Sequence, residues 1–312
     1  MPFPLPRRRT MNDREKELLR EYLEQKQDDV EKALDRLVPP AESYPSVLFE
    51  AARYSLFAGG KRLRPLLCMA AAESVGGNVD KVMPCACALE MIHTYSLIHD
   101  DLPAMDDDDY RRGKPTNHKV FGEGIAVLAG DALLTDAFRL LAGQGVAAGA
   151  DSENLLAVIH EIARAAGFFG MVGGQVVDLD SEGKDISFET LQYIHTHKTG
   201  ALIIVSLRSG AILSGATEGQ LSALTKYGEN IGLAFQIVDD ILNVEGDSVL
   251  MGKSTGSDDS RKKATWTSAR GLEESRAHAR NLVENALLSI DSFGGQADPL
   301  RLIARYITER KS

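Results

Sequence analysis

Cysteine is scarce in this chain, with three in 312 residues. Cys68, Cys85 and Cys87 have neither the even count of a disulfide framework nor the spacing of a zinc site. All three sit among alanines and other apolar residues, so buried thiols in a reducing cytoplasm are expected. Apolar runs of the length a membrane helix requires are also missing, and stable membrane insertion is not expected. The Pro- and Arg-rich start leads into no apolar stretch, so no signal peptide is expected, and residues 1–10 read as a disordered leader. Positive charge is in deficit: 35 Lys and Arg against 45 Asp and Glu give a formal net charge of −10. That argues against a nucleic-acid partner and means that an anionic ligand needs locally gathered cations.

Alternating strand patterns are absent as well. Apolar residues recur at helical spacing almost throughout. Helices are expected near 12–37, 44–58, 62–75, 79–101, 118–143, 152–171, 187–215, 218–245, 261–289 and 297–310. Breaks are expected at Pro39-Pro40, Gly59-Gly60, Gly76-Gly77, Pro103, Gly173-Gly174, Gly215 and Gly294-Gly295. The stretch 199–214 is apolar nearly all round, as in a helix at the centre of a large bundle. No linker divides the chain, so residues 11–312 read as one all-α domain: a large helical bundle around a central substrate cavity.

Against this apolar background stands one dense charged run, from Asp100-Asp101 through Asp106-Asp107-Asp108-Asp109 to Arg111-Arg112. Carboxylates packed this closely repel, and a hard divalent cation relieves the repulsion. Adjacent arginines suit a phosphate that the same metal holds. A solvated acidic turn is the plainer reading of a charge run, but this one directly ends a mostly apolar helix. A second pair, Asp239-Asp240, ends the apolar stretch 233–238, with Asn243 four residues on and on the face of Asp239. A third constellation, Gly59-Gly60-Lys61-Arg62-Leu63-Arg64-Pro65, places cations at a helix start, where backbone N–H groups also favour an anion. It lacks P-loop spacing. His93 on the apolar helix reads as a core residue, and His195 and His197, two apart, point to different helix faces.

Together these residues resemble the trans-isoprenyl diphosphate synthase family, in its bacterial farnesyl diphosphate synthase branch. The resemblance runs in order from about Tyr44 to Thr267. It includes Asp-Asp-x-x-x-x-Asp followed by Arg-Arg-Gly-Lys-Pro-Thr-Asn-His, then Gly174-Gln175-Val176-Val177-Asp178-Leu179, Lys198-Thr199 and Phe235-Gln236-Ile237-Val238-Asp239-Asp240. It implies the family's all-α fold, a homodimer and condensation of isopentenyl diphosphate with an allylic diphosphate. Asp100, Asp106 and Asp239 would bind three Mg2+, with Asp101 and Asp240 in support. Arg111, Lys198, Lys253 and Lys263 would surround the allylic diphosphate. Lys61, Arg64, His93 and Arg112 would hold isopentenyl diphosphate, and Thr199 and Gln236 would lie beside the reacting carbons.

Product length is assigned to the helix before Asp100. Tyr95 lies about 7–8 Å deeper along it. An aromatic ring there, beside the longer first motif, implies a C15 product, whereas C20 enzymes often carry a smaller or more flexible residue. Ser96 is too small to block the cavity alone. Asn243 departs from the family's usual third Asp but keeps a carbonyl acceptor. Rival readings are a C20 synthase, a terpene cyclase, a non-catalytic synthase subunit and a His-Asp metal phosphohydrolase built on His93, His99 and Asp100.

Overall fold

The computed structural model describes residues 10–245 and 264–310. Its first helix, α1 (Asp13–Leu37), starts at a reciprocal cap. Asn12 accepts from the Glu15 amide, and Glu15 accepts from the Asn12 amide, both at 2.9 Å. That satisfies two amides a helix start otherwise leaves bare. Then follow α2 (Ser46–Leu56), α3 (Leu63–Ser74) and α4 (Val79–Asp100). A two-stranded hairpin, β1 (Tyr110–Arg111) and β2 (Lys114–Pro115), leads to α5 (Asn117–Phe121), α6 (Glu123–Ala147) and α7 (Ser152–Ala166). Next come α8 (Met171–Ser181), α9 (Phe188–Ile194), a π-helical turn (His195–Gly200), α10 (Ala201–Leu213) and α11 (Glu218–Glu245). The last helices are α12 (Trp266–Arg270), α13 (Leu272–Ser289) and α14 (Asp298–Glu309).

The all-α expectation holds, the four-residue hairpin aside. α3, α4 and α10 are buried on nearly every face because their sequences are apolar on nearly every face. They divide two cores. One packs α3 and α4 against α2, α6 and α7; the other packs α10 and α11 against α13 and α14. α3 and α10 lie in unusually close contact: a Cβ on Gly210 would come within 1.9 Å of the Cys68 carbonyl. All three cysteines are buried and unbridged, as expected.

Three expectations are corrected. Gly173-Gly174 does not break a helix; it lies inside α8, a helix that the sequence reading left out. Gly174 is there for proximity, since a Cβ would meet the Lys198 amide nitrogen at 2.3 Å. The chain instead turns at 167–170. The expected helix 118–143 is two helices that meet at Gly122, and the expected helix 187–215 contains the π turn. Finally, Ser152–Ser181 taken as one segment is long and apolar enough to cross a membrane by length and composition, contrary to the reading that no run was. The leader 1–9 and the segment 261–263 lie outside the described residues.

Arg62 holds three elements together. Its φ of 50° turns the side chain inward. Its guanidinium meets Glu90 on α4 at 2.7 Å, Glu31 on α1 at 2.7 Å and the Leu56 carbonyl ending α2 at 2.5 Å. Both Arg62 and Glu90 are buried, so each charge depends on the other. Replacing Glu90 by Ala is expected to cost about 3 kcal/mol, because a buried guanidinium then loses a partner. Denaturant unfolding of the two proteins checks this, and a loss below about 1 kcal/mol would show the pair to be dispensable.

Candidate active site

The first acidic cluster is built by the end of α4. Asp100 closes the helix and Asp101 caps it. The chain then folds back, with the Asp106 amide donating to the Asp100 carbonyl at 2.8 Å. This brings three acidic side chains to one helix end. Burial pushes the Asp100 carboxyl above its usual range, and neighbouring Asp106 and Asp101 push the same way against the pull of Lys198 and Arg111. Asp101 is spent differently: it accepts from Arg111 Nε at 2.6 Å. Arg111 also reaches Asp108 at 3.3 Å, so the hairpin is pinned to the helix it follows.

The second cluster lies in the C-terminal part of α11, which runs on to Glu245. Asp239 is half-exposed, while Asp240 is buried and accepts from the Trp266 amide at 2.6 Å. His195 on the π turn lies 3.5 Å from Asp240. Thus of each Asp pair one carboxylate anchors the next segment of chain. On the same face, Gln236 donates to Asp239 at 3.3 Å and accepts from the Thr199 hydroxyl at 2.9 Å. Lys198 pairs with Asp178 of α8 at 2.7 Å. The π turn inserts an extra residue into its helix, a device that re-aims side chains and recurs at functional sites.

A cationic cluster adjoins both. Burial and its neighbour Arg112 pull Arg64 down to about 10, against the opposing influence of Glu90. Burial likewise lowers Lys61, aided by Arg310 and opposed by Asp239. His93 is held well below the ordinary imidazole value by burial, then by Arg64, Arg112 and Arg111. Arg112 arches over the Gly-Gly turn, with its guanidinium on the Gly59 carbonyl. Arg64 Nε and His93 Nδ1 are buried without a partner. Cations that depress one another, with unsatisfied donors among them, suit a bound anion. Alongside, a small pocket is lined by Thr94, Asp101, Arg111, Arg112 and Lys114 among others.

The chain's relatives point the same way. A polyprenyl synthetase family profile matches residues 45–293. The chain is 50% identical over 293 residues to a dimethylallyltranstransferase of Fischerella ambigua, covering 94% of this chain and 84% of that one. It is 49% identical to a geranylgeranyl diphosphate synthase of Cyanophora paradoxa, over 93% of this chain and 96% of that one. The chain belongs to the polyprenyl synthetase family. Among solved structures it resembles an apo FPP/GFPP synthase from Zymomonas mobilis, with TM-score 0.83 and 40% identity over 93% of this chain and 98% of that one. It also resembles a geranylgeranyl pyrophosphate synthetase from Pyrococcus horikoshii, with TM-score 0.86 and 31% identity over 96% and 100% of the two chains. As a polyprenyl synthetase it is a prenyl-transferring enzyme, of a family that uses isopentenyl and allylic diphosphates.

The fold of this polyprenyl synthetase gathers the residues picked from sequence. Asp100, Asp101, Asp106 and Arg111 share one end of α4; Lys198 acts electrostatically on Asp100, and Asp239 on Lys61. Lys253 and Lys263 lie outside the described residues. Tyr95 is buried on α4, its ring edge-on to His99 at 5.6 Å, and the Ser96 hydroxyl turns back onto the His93 carbonyl at 2.8 Å. Sequence reasoning missed the roles of Asp178, Gln175 and Arg310. Asp178 and Gln175 are three apart on the inner face of α8, a spacing that was readable. Both amide atoms of Gln175 are buried and unpartnered. Arg310 pairs with Asp239, and no local pattern announced it.

The depressed His93 yields a pH test. Unfolded, it takes up a proton near pH 6.5; folded, it resists until lower pH. Its contribution to stability is therefore full above about pH 6.5 and is lost as pH falls below that value. His93→Gln is expected to flatten the fall in denaturation midpoint of the ligand-free protein between pH 7.5 and 5.5. Equal falls in both proteins would contradict a buried neutral His93.

Proposed function

We propose that this chain is a magnesium-dependent farnesyl diphosphate synthase, which condenses isopentenyl diphosphate with dimethylallyl or geranyl diphosphate. One observation carries the reading. A carboxylate site and a separate site of buried cations, each lowered by burial and by a neighbouring arginine, lie side by side, with the Thr199–Gln236 pair next to Asp239. A terpene cyclase has no use for the second anion site. A His-Asp phosphohydrolase gains no support, since His93 sits among arginines and His99 is bonded to the Val127 carbonyl at 3.0 Å.

The donor set fits magnesium. All its members are hard carboxylate oxygens, and Asp100 is raised by burial and then by neighbouring carboxylates, a repulsion that a cation would relieve. Among the described residues no group of three or more His, Cys, Asp or Glu converges on one point. Mg2+ is typically bound by one or two carboxylates plus substrate phosphate oxygens. Asp100, Asp106 and Asp239 would hold it, with Asp101 and Asp240 in support. When bound, magnesium supplies positive charge to the departing diphosphate.

The chain's own residues do the rest. Arg111 and Lys198 add charge where negative charge grows as the allylic C–O bond breaks. Lys61, Arg64, His93 and Arg112 hold the isopentenyl diphosphate so that its terminal carbon faces the allylic cation. The Thr199 hydroxyl and Gln236 carbonyl, already oriented by their mutual hydrogen bond, present dipoles to that cation. A proton lost from the adduct to the released diphosphate completes the step. The apolar helices that form the walls exclude water that would quench the cation.

Tyr95 favours a C15 product, because a buried aromatic ring one and a half turns below Asp100 closes the space between helices. The C20 reading is favoured by relatives named geranylgeranyl diphosphate synthases. The homodimer reading rests on large apolar side chains left exposed on α6, α7 and the turn to α8: Leu128, Leu156, Phe168 and Phe169, the last two 87% and 73% exposed. Exposed side chains this large and apolar are the kind that a subunit interface would cover.

Product analysis tests the function. The purified protein with Mg2+, isopentenyl diphosphate and either primer is expected to stop at farnesyl diphosphate, and Tyr95→Met to move the product toward C20. Geranylgeranyl diphosphate from the unaltered protein would remove Tyr95 as the stop while keeping the mechanism. Asp100→Ala is expected to lower turnover by more than about a hundredfold, whereas Asn243→Asp should change it only modestly. Retained activity in Asp100→Ala would refute the carboxylate assignment.

A further inference from the structure

Arg310 belongs to no part of the mechanism above, yet it makes the shortest polar contact in the second acidic cluster. Its Nη2 donates to Asp239 Oδ1 at 2.5 Å and to the Phe235 carbonyl at 2.9 Å. The guanidinium lies over the Phe235 ring, 4.0 Å from its centroid. Its side chain is only 4% exposed, against 44% for Asp239. This differs from a surface ion pair, in which two solvated side chains meet at little net gain. A ring on one side and a carbonyl on the other fix the guanidinium.

The helix that carries it is fixed too. α14 buries Leu300, Ile303, Ala304 and Ile307 on one face. Its end is tied to the start of the first helix: the Met11 amide donates to Glu309 at 2.7 Å, and Arg305 pairs with Glu15 at 2.9 Å. Arg310 therefore reaches Asp239 from a docked element. Of the two oxygens of Asp239, one receives the short Arg310 bond. The other receives, among the described residues, the longer, 3.3 Å bond from Gln236, and the carboxylate as a whole remains half-exposed. An oxygen fixed by an outer donor aims its neighbour, as the hydrogen-bonded carboxylates around metals generally do.

We propose that Arg310 is a positioning residue for the second acidic cluster, holding Asp239 so that its other oxygen faces the divalent cation. This rests on the metal reading given under the proposed function. The opposite arrangement, a mobile cation that merely fills the metal's place until metal arrives, would leave the guanidinium exposed and unstacked. The structure shows it buried and stacked. The site is then completed by a residue that directly follows the last, docked helix. An arginine suits it better than a lysine, since one planar group must serve a carboxylate, a carbonyl and a ring together.

The test is Mn2+ binding, followed by electron paramagnetic resonance in the presence of inorganic diphosphate, with no turnover. Four proteins are compared: the unaltered chain, Asp239→Asn, Arg310→Ala and the double variant. Arg310→Ala is expected to weaken Mn2+ binding by about 10–100-fold. It is expected to add little once Asp239 is already Asn, because both changes then act on one oxygen pair. Arg310→Lys should recover part of the loss. Unchanged or tighter Mn2+ binding in Arg310→Ala, with Asp239→Asn still weakened, overturns the positioning role and leaves the metal reading standing. No effect of Asp239→Asn overturns both. Should Arg310→Ala fail to fold, Phe235→Leu removes the supporting ring while keeping the guanidinium. It is expected to give a smaller loss in the same direction, and an unaltered affinity there counts against the proposal.

Discussion

Crowded like charge at the ends of apolar helices is the constraint on which this structure turns. Asp100 is pushed up by burial and by its acidic neighbours, while Arg64, Arg112 and His93 are pushed down by burial and by neighbouring arginines. Neither group is comfortable alone. Neutralising each against the other in direct ion pairs would close the site and leave no place for a substrate. The fold instead separates them into neighbouring compartments, and each retains its demand for an opposite charge. On the function proposed for the site, a metal-diphosphate would answer the carboxylates and a second diphosphate the cations.

Such a site can persist only on a rigid support, because every strained charge invites collapse. The Arg62–Glu31–Glu90 cluster joins α1, the end of α2 and α4 directly beneath the cations. Close approach does the same work on the opposite wall. Gly174 lets α8 lie on the π turn at Lys198, and Gly210 lets α10 lie on α3. With the helices held this near, the Lys198–Asp178 and Thr199–Gln236 pairs follow from packing rather than from flexible searching.

What the sequence made legible follows from how local each signal is. Helix period, caps and charge runs are local, so the all-α bundle and the residues Asp100, Asp106, Asp239, Lys61 and Arg64 could be picked out from neighbours in the chain. Gly173-Gly174 misled because a glycine pair has two uses. It punctuates helices, and it also admits a second helix at short range; nothing in the chain near 173 says that Lys198 will be there. The π turn was hidden for a similar reason, since an extra residue in a helix leaves the apolar pattern on either side intact. Arg310 was invisible because its partner is far along the chain, and a lone arginine near a terminus usually belongs to the solvated surface.

The two Asp pairs share a division of labour that consecutive helix positions enforce. Successive residues on a helix point about 100° apart, so two adjacent carboxylates are aimed differently. In the first pair Asp101 turns aside and holds Arg111; in the second Asp240 turns aside and holds the Trp266 amide. The first diverted carboxylate anchors the hairpin that follows its helix, and the second anchors α12, the next described helix. On the proposed metal reading, each pair is one ligand plus one clamp. The short motif thus accounts for more than charge. Losing the second Asp of either pair would free the segment it secures, and the ligand beside it would then stand in a differently shaped cavity.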